Sequence, residues 1–110
     1  MLLVLHPYKF NQHYYFEYEF DLFEKKLFSK FEIHDLSQIV NPDWKKAFSG
    51  EVHKKAKVFN TIKEWNDYFQ GFIKKEDNIT ILNNLDINSI NSLIVHHIIC
   101  KSKLLPFIAS

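Results

Sequence analysis

Short apolar runs alternate with longer stretches of helical periodicity, and this alternation constrains the fold more than any other feature of the chain. Leu2–Leu5 is a continuous apolar run, which is typical of a strand buried on both faces. Lys30–Leu36 alternates apolar and polar residues and predicts a strand with one wetter face, nearer an edge. Ile79–Leu82 predicts a third strand. Leu104–Ala109 predicts a fourth, at an edge or a bulge because it contains a proline.

Three helices are predicted between these strands. Asn11 is a candidate N-cap for a first helix that extends to Phe28. Thr61 and Glu64 have the spacing of a capping box at the start of a second helix. Asp86 is a candidate cap for the third. The stripes predicted to face the core are Phe16, Phe20, Phe23 and Leu27 in the first helix, Ile62, Trp65, Phe69, Phe72 and Ile73 in the second, and Ile90, Leu93, Ile94, His97 and Ile98 in the third.

The segment from Ser37 to Asn60 is the least regular. Pro42 predicts the first position of a short helical turn that ends at Gly50, with Trp44 and Phe48 on one side. The whole order predicts an α/β fold: a three-layer Rossmann-like sandwich with a mainly parallel four-stranded sheet, in one domain over residues 1–110. The last predicted strand has no covering helix after it. We therefore expect an incomplete unit, covered by a C-terminal domain or, as a homo-oligomer, by a second copy.

Charge and cysteine content exclude several classes of partner. The net charge of +1 offers no electrostatic reason to expect nucleic acid, because the paired lysines are interspersed with acidic residues. The single cysteine, Cys100, excludes an internal disulfide, and its apolar neighbours predict a buried, inert thiol. No apolar segment approaches the roughly 20 residues that span a bilayer, so we expect no integral membrane segment. The apolar start is too short for a signal peptide, so we expect a cytoplasmic location.

The carboxyl ends of parallel strands meet at one edge of a sheet, where α/β proteins bind their ligands. His6 and His34 are candidates there for acid–base work, because imidazole titrates near neutral pH. The alternative is that these polar residues only form turns, since Asx side chains bond nearby backbone without a ligand. Tyr14–Phe16 resembles a stacking platform for a sugar or a base, although its helical spacing favours packing. The candidate cleft residues are His6, Tyr8, Lys9, His34, Asp35, Asn83, Asn84 and Asp86.

Other chemistries lack the residues that they need. The chain has 2 glycines, and none lies in the turn over residues 7–11. Without glycine the backbone of this turn cannot closely approach a pyrophosphate, so dinucleotide binding is disfavoured. Asp35 nevertheless lies where a dinucleotide-binding domain has its ribose-binding carboxylate. A phospho-acceptor module needs an acidic pair after the first strand, where this chain has His6 and Pro7. His96 and His97 are adjacent and cannot grip one metal in the usual manner, so core or interface histidines are expected. We expect no metal and no cofactor.

Two stretches of sequence carry a family resemblance. Val4–Phe10 followed by Tyr14–Glu19 resembles the start of bacterial surface-polysaccharide biosynthesis proteins. Glu32–Ser37 with Asn41–Pro42 is similar to the same group. Those proteins resemble the N-terminal half of two-domain, Rossmann-like glycosyltransferases. The resemblance implies an acceptor-binding domain that contributes one wall of a cleft, while the sugar nucleotide is held mainly by a second domain.

Two functional hypotheses follow. The first is a glycosyltransferase-like N-terminal domain in lipopolysaccharide or capsule assembly that is not catalytic alone. His6, Tyr8, Lys9, Asp35 and Asn83 would line its half of the cleft and orient a sugar hydroxyl or a phosphate of a sugar or sugar-nucleotide ligand. The second is a non-catalytic α/β interaction module, in which the same residues only form turns and a partner covers the open edge.

Overall fold

Helices and strands alternate along the chain in the computed structural model, which describes residues 1–20, 30–42, 51–76, 78–86, 89–102 and 107–109. The strands are β1 (Leu2–His6), β2 (Phe31–Asp35), β3 (Ala56–Val58), β4 (Thr80–Asn83) and β5 (Phe107–Ala109). The helices described are α1 (Gln12–Glu17), α2 (Ser37–Val40), α3 (Ile62–Lys75) and α4 (Ile90–Lys101).

The strands form one parallel sheet in the order β3-β2-β1-β4-β5. This is the order of the doubly wound fold, in which the connections change direction between β1 and β4. The α/β fold with a parallel sheet is therefore confirmed. The sheet also contains a short edge strand, β3, which the sequence does not predict. Strand β3 has no apolar run, and Lys57 and Val58 are both exposed. Strand β2 lies next to the edge strand β3 and so nearer an edge than β1, as expected, and β5 lies at the other edge.

The sheet separates two hydrophobic cores, as a three-layer arrangement requires. Alternate residues of β1 enter opposite cores, because successive side chains of a strand point to opposite faces. Leu3 and Leu5 join the core under α3 and α4, while Leu2 and Val4 join the core beside α1. The first core includes Leu36, Ile39, Phe59, Trp65, Phe69, Phe72, Ile79, Ile81, Val95 and Ile99, and the second includes Phe10, Tyr15, Phe20 and Ile33.

Helix α3 begins as the sequence predicts. The N–H of Glu64 donates to Thr61 Oγ1 at 3.1 Å. The returning bond of the capping box comes from the N–H of Asn60, which donates to Glu64 Oε1 at 3.3 Å. The predicted stripe is confirmed, because Trp65, Phe69 and Phe72 are buried and Ile62 and Ile73 pack against the same core.

Helix α1 is shorter than its apolar periodicity predicts. Asn11 is the N-cap, accepting from the N–H of Tyr14 at 3.2 Å, as expected. The helix ends at Glu17, and Glu19 adopts a left-handed φ of 56°. Phe16 was expected to face the core but is 61% exposed, and Tyr15 is buried instead. The reason is that the predicted apolar stripe assumes a helix that continues past Glu17, where α1 ends. Phe20 is buried as predicted, and Phe23, Leu27 and Phe28 lie outside the described residues.

The inner face of α4 is not the one that the sequence predicts. Apolar residues occupy both sides of this helix, and Ser92, Val95 and Ile99 are the ones buried. The wrongly predicted stripe faces outward: Ile90 is 70% exposed, Leu93 and Ile94 are also exposed, His97 is exposed, and Ile98 is only partly buried. The predicted cap is also wrong, because Ser89 rather than Asp86 accepts from the N–H of Ser92, at 3.2 Å.

Two isoleucines of α4, one buried and one exposed, give a matched test of how this helix is oriented. Ile99→Val is expected to lower the free energy of unfolding by about 1 kcal/mol, because Ile99 is 0% exposed and a methylene is lost from the core. Ile90→Val is expected to change it by less than about 0.5 kcal/mol, since Ile90 is largely exposed. Urea unfolding followed by tryptophan fluorescence measures both. Equal losses for the two variants would contradict this orientation of the helix.

Cys100 was expected to be buried, but it is exposed, because it lies on the side of α4 away from the core.

The irregular segment after β2 contains the short helix α2 at Ser37–Val40, and Pro42 lies just beyond this helix. The rest of the turn predicted there, with Trp44, Phe48 and Gly50, lies outside the described residues, as do Leu104 and Pro106. In the part of the chain described, no helix has the length and apolar character needed to cross a membrane.

Candidate functional site

His6 ends β1 at the point where the sheet connections change direction, beside β4. It points to the face of the sheet that carries α1, and it is 1% exposed. Neither ring nitrogen, Nδ1 or Nε2, has a hydrogen-bond partner among the described residues. Almost all buried polar side chains in proteins are hydrogen-bonded, so an imidazole without a partner requires an explanation.

Aromatic rings enclose the His6 imidazole. The ring centroid of Tyr14 lies 4.4 Å from that of His6, Phe10 lies at 5.1 Å, Tyr18 at 5.9 Å and Tyr8 at 6.0 Å. The three tyrosine rings are nearly parallel: Tyr8 and Tyr14 differ by 21° and Tyr14 and Tyr18 by 23°. We call Tyr8, Tyr14 and Tyr18 the tyrosine cluster. Each of its members is half-buried, so the cluster forms the surface above His6.

The site holds its groups in uncharged form. Burial lowers the pKa of His6 to about 4, so that its imidazole is neutral at pH 7. Burial, reinforced by the nearby carboxylate of Glu17, raises the pKa of both Tyr14 and Tyr18, so these phenols keep their protons. A neutral imidazole offers one donor and one acceptor, and a phenol offers both. The site therefore presents uncharged hydrogen-bonding groups on aromatic walls.

Asn84 joins this cluster from the adjacent strand. Its backbone N–H donates to the carbonyl of Leu5 at 3.1 Å, which holds the loop after β4 against the end of β1. Its side-chain Nδ2 donates to the hydroxyl of Tyr18 at 3.2 Å. His6, Tyr8 and Asn84, all predicted from the sequence, thus come together with Tyr14 and Tyr18.

Asp35 is committed to the backbone. Its Oδ2 accepts from the N–H of Phe10 at 2.9 Å. Its Oδ1 accepts from the N–H of Ser37 at 3.0 Å and from the Ser37 hydroxyl at 2.6 Å. The carboxylate is fully buried and ties the turn after β1 to the turn after β2. Its position matches that of a ribose-binding carboxylate, but no ribose can reach it in this structure.

His34 lies on the opposite face of the sheet and uses both ring nitrogens. Trp65 Nε1 can only donate, and it donates to His34 Nδ1 at 3.0 Å, so Nε2 carries the proton. Nε2 donates to Glu32 Oε1 at 2.9 Å, and the Tyr68 hydroxyl donates to the same oxygen. Burial lowers the pKa of His34, so this pair joins a neutral ring to a carboxylate. The face predicted to be wetter is therefore a buried network.

The remaining candidates lie at the end of β4 or in the segments that follow β1 and β4. Asn83 Oδ1 accepts from the N–H of Leu85 at 3.0 Å, as an Asx turn does. Lys9 is half-buried in the turn after β1, and Asp86 is exposed. Whether any of these residues binds a ligand stays a prediction.

Tyr18 is a residue of this site that the sequence did not identify. Its spacing of four residues from Tyr14 could have indicated it, because this spacing places two phenols on one side of a helical turn.

A groove of about 330 Å³ lies elsewhere, between the first half of β2 and the second half of α3. Its carboxylates already have partners, since Glu76 pairs with Lys30 and Asp67 with Lys63. Glu32, Asp67, Tyr68, Gly71, Phe72, Lys75 and Glu76 line it. Within the residues that the structure describes, no three histidine, cysteine or acidic side chains converge to hold a metal ion.

Comparison with known proteins identifies no relative. No protein-family model matches the chain, and no curated protein and no solved structure matches it. The likeness to surface-polysaccharide proteins therefore stays a prediction from the sequence.

Proposed function

We propose that this chain is a sugar-binding, acceptor-side domain of glycosyltransferase type, acting in the cytoplasmic assembly of a bacterial surface polysaccharide and not catalytic alone. The observation that carries the proposal is the buried imidazole of His6, which has no hydrogen-bond partner among the described residues. It lies beneath the tyrosine cluster, at the end of the sheet where α/β proteins bind ligands. The family resemblance of the residues around His6 supports the same interpretation.

Sugars match this combination of groups. A pyranose ring has a face of C–H groups that packs on an aromatic ring, and hydroxyls at its rim that both donate and accept. Small-molecule sites have the same character, with apolar and aromatic walls and a few placed polar groups. Tyr14 and Tyr18 would supply the walls and phenols, and Asn84 an amide. A hydroxyl that reaches His6 would satisfy a buried group whose unmade hydrogen bond costs about 1–3 kcal/mol.

The site is closed in this structure, so binding requires a side chain to move. Tyr14 is the ring nearest to the imidazole and is half-buried. It belongs to a helix of 6 residues, which buries only Tyr15. Rotation of the Tyr14 side chain opens the path to His6, and the sugar then takes the place of the ring against the imidazole.

A thermal-shift series tests the proposal on the full chain. A panel of neutral saccharides and sugar nucleotides is expected to contain a ligand that raises the unfolding temperature; a ligand at 100 times its dissociation constant adds about 2.7 kcal/mol. His6→Phe keeps the ring shape but removes both nitrogens and is expected to lower this stabilisation by about 1 kcal/mol or more. His97→Phe, a histidine exposed on α4, is the matched control and keeps it. If no saccharide or sugar nucleotide stabilises the wild-type chain, the proposal is wrong.

The outward face of α4 favours a second candidate, a non-catalytic interaction module. Ile90, Leu93 and Ile94 are exposed together on one side of this helix. Contiguous exposed apolar surface marks interaction sites in soluble proteins. A second copy of the chain is the partner that this candidate names. Sedimentation equilibrium should then show a concentration-dependent dimer that Leu93→Lys dissociates, whereas a monomer at all concentrations excludes self-association.

A further inference from the structure

Residues 11–19, which we call the α1 segment, cover the His6 imidazole. The segment contains helix α1 and carries Tyr14 and Tyr18, whose ring centroids lie 4.4 Å and 5.9 Å from that of His6. Within the segment only Tyr15 is buried. The parts of proteins that open locally are those with few buried apolar contacts. The α1 segment has this character.

Both ends of the α1 segment are fixed to the core. Phe10, immediately before it, is 0% exposed, and its N–H donates to Asp35 Oδ2 at 2.9 Å. Phe20, immediately after it, is also 0% exposed. Glu19 lies between α1 and Phe20 and has a left-handed φ of 56°, which residues with a side chain adopt only rarely. This change of backbone direction separates the helix from its anchor, so that α1 can move while Phe20 stays in place.

Tyr15 stacks on a ring that belongs to the fixed part of the molecule. Its centroid lies 4.3 Å from that of His53, and the two ring planes differ by 8°. The backbone N–H of His53 donates to the carbonyl of Phe10 at 2.8 Å, and its carbonyl accepts from the N–H of Ala56, the first residue of β3, at 3.0 Å. The Nδ1 atom of His53 accepts from the N–H of Lys55 at 3.1 Å. His53 is therefore held by the frame, and Tyr15 is the side chain that can leave it.

Movement of α1 would uncover His6 in a single step. Tyr14 stacks between Tyr8 and Tyr18, with ring centroids at 6.4 Å and 6.3 Å. Tyr14 and Tyr18 are both carried by the α1 segment, whereas Tyr8 precedes it. The step breaks the hydrogen bond from Asn84 Nδ2 to the Tyr18 hydroxyl, and it separates Tyr15 from its stacking partner.

We propose that the α1 segment is a lid, which opens as one unit to expose His6 and is held closed by the stacking of Tyr15 on His53. Rotation of Tyr14 then accompanies the movement of the lid. The inference goes beyond the proposed function, because it does not depend on which ligand the site takes.

Hydrogen exchange of the backbone amides, followed by NMR on the full chain, tests the lid. The N–H groups of Tyr15, Tyr18 and Glu19 donate to carbonyls within the lid. A helix of 6 residues does not persist in water on its own, so each opening exposes these amides together. We expect them to share one protection factor, about a hundredfold or more below that of the amides of β1 in the middle of the sheet. Protection equal to that of β1 would mean that the segment opens only when the whole chain unfolds, and the lid would be wrong.

Two substitutions of His53 separate its ring from its hydrogen bond. His53→Asn removes the ring but keeps a side-chain acceptor for the N–H of Lys55, and His53→Phe does the reverse. His53→Asn is expected to lower the protection of the lid amides about three- to tenfold relative to β1, the usual effect of losing an aromatic pair. His53→Phe should leave this ratio unchanged. The same ratio in all three proteins would show that the stacking does not hold the lid closed.

Carbethoxylation by diethyl pyrocarbonate reports whether the lid controls access to His6. The reagent attacks neutral imidazole nitrogens, and peptide mapping gives the rate at each histidine. His6 should react about three- to tenfold faster in His53→Asn than in the wild-type chain, in step with the lid amides, while the exposed His97 reacts equally in both. A His6 rate that does not follow the lid amides would show that Tyr14 alone admits the reagent, which overturns the lid and leaves the proposed function standing. A lid that behaves as expected in a chain that no saccharide stabilises overturns the proposed function alone.

Discussion

Replacing Asp35 with alanine is expected to lower the free energy of unfolding by about 4 kcal/mol, one of the largest losses available from a single polar side chain in this chain. The buried carboxylate accepts from the backbone N–H groups of Phe10 and Ser37 and from the Ser37 hydroxyl. Alanine leaves both N–H groups buried without an acceptor, and each unmade hydrogen bond costs about 1–3 kcal/mol. The loss is a large part of the stability of an ordinary domain.

Urea denaturation followed by tryptophan fluorescence measures this loss, because Trp65 is fully buried in the core. Ser37→Ala is the matched control: it removes only the hydroxyl bond at 2.6 Å and keeps both N–H donors satisfied. We expect it to cost about 1 kcal/mol. A loss below about 1 kcal/mol for Asp35→Ala would show that water replaces the carboxylate, and that Asp35 is open to a ligand after all.

The strands and the best-capped helix could be predicted because their signals are local. Leu2–Leu5 is apolar at every position, which is typical of a strand buried on both faces. Strand β1 does lie in the middle of the sheet. Thr61 and Glu64 identify the start of α3 by hydrogen bonds within one helical turn. Neither feature depends on which other segment packs against it.

The orientation of α4 could not be predicted, because its apolar residues surround the helix axis. Ile90, Leu93 and Ile94 give as good a stripe as Val95 and Ile99. The choice between the two faces depends on tertiary contacts, which tolerate a buried Ser92 because its hydroxyl bonds the Ser89 backbone carbonyl at 3.3 Å. The short strand β3 is missing from the prediction for a similar reason, since its three residues join the sheet only because β2 offers an open edge.

The candidate site was predictable as a location but not as a set of contacts. Topology alone brings His6 and Asn84 to the same edge of the sheet. Sequence reasoning treats His6 and His34 alike, because both are histidines near the end of a strand. The structure separates them: His34 bonds Trp65 and Glu32, whereas neither nitrogen of His6 has a partner among the described residues. The difference arises from strand alternation, which sends the two rings to opposite faces.

The His6 ring is buried and has no hydrogen-bond partner in the part of the chain that the structure describes. This predicts a strong pH dependence of stability that a single substitution removes. Unfolded histidine has a pKa near 6.5, and burial lowers the folded pKa of His6 to about 4. Between these values the unfolded chain binds a proton that the folded chain does not, so stability is full above pH 6.5 and falls as the pH drops. The expected loss from His6 alone is about 3 kcal/mol by pH 4.

His6→Phe isolates this contribution, because the variant keeps an aromatic ring among Phe10 and the tyrosine cluster but has no group to protonate. His34, His53 and Glu32 also have lowered pKa values and also weaken the fold in acid, yet they titrate equally in both proteins and cancel in the difference. Tyr14 and Tyr18, which face His6, have raised pKa values and stay neutral throughout. The carboxylate of Asp35, the register partner of His6 on β2, is bonded to the backbone in both proteins.

The stability difference between His6→Phe and the wild-type chain, measured by urea unfolding from pH 7 to pH 4, is therefore expected to widen by about 3 kcal/mol in favour of the variant. At pH 7 the variant should already be at least as stable as the wild-type chain, because it leaves no nitrogen unsatisfied. A wild-type chain that loses stability no faster than the variant would mean that water reaches the imidazole and solvates its proton. The aromatic rings would then not exclude water from His6. Its unmade hydrogen bond would no longer cost free energy, and this reason to expect a sugar hydroxyl as its partner would be lost.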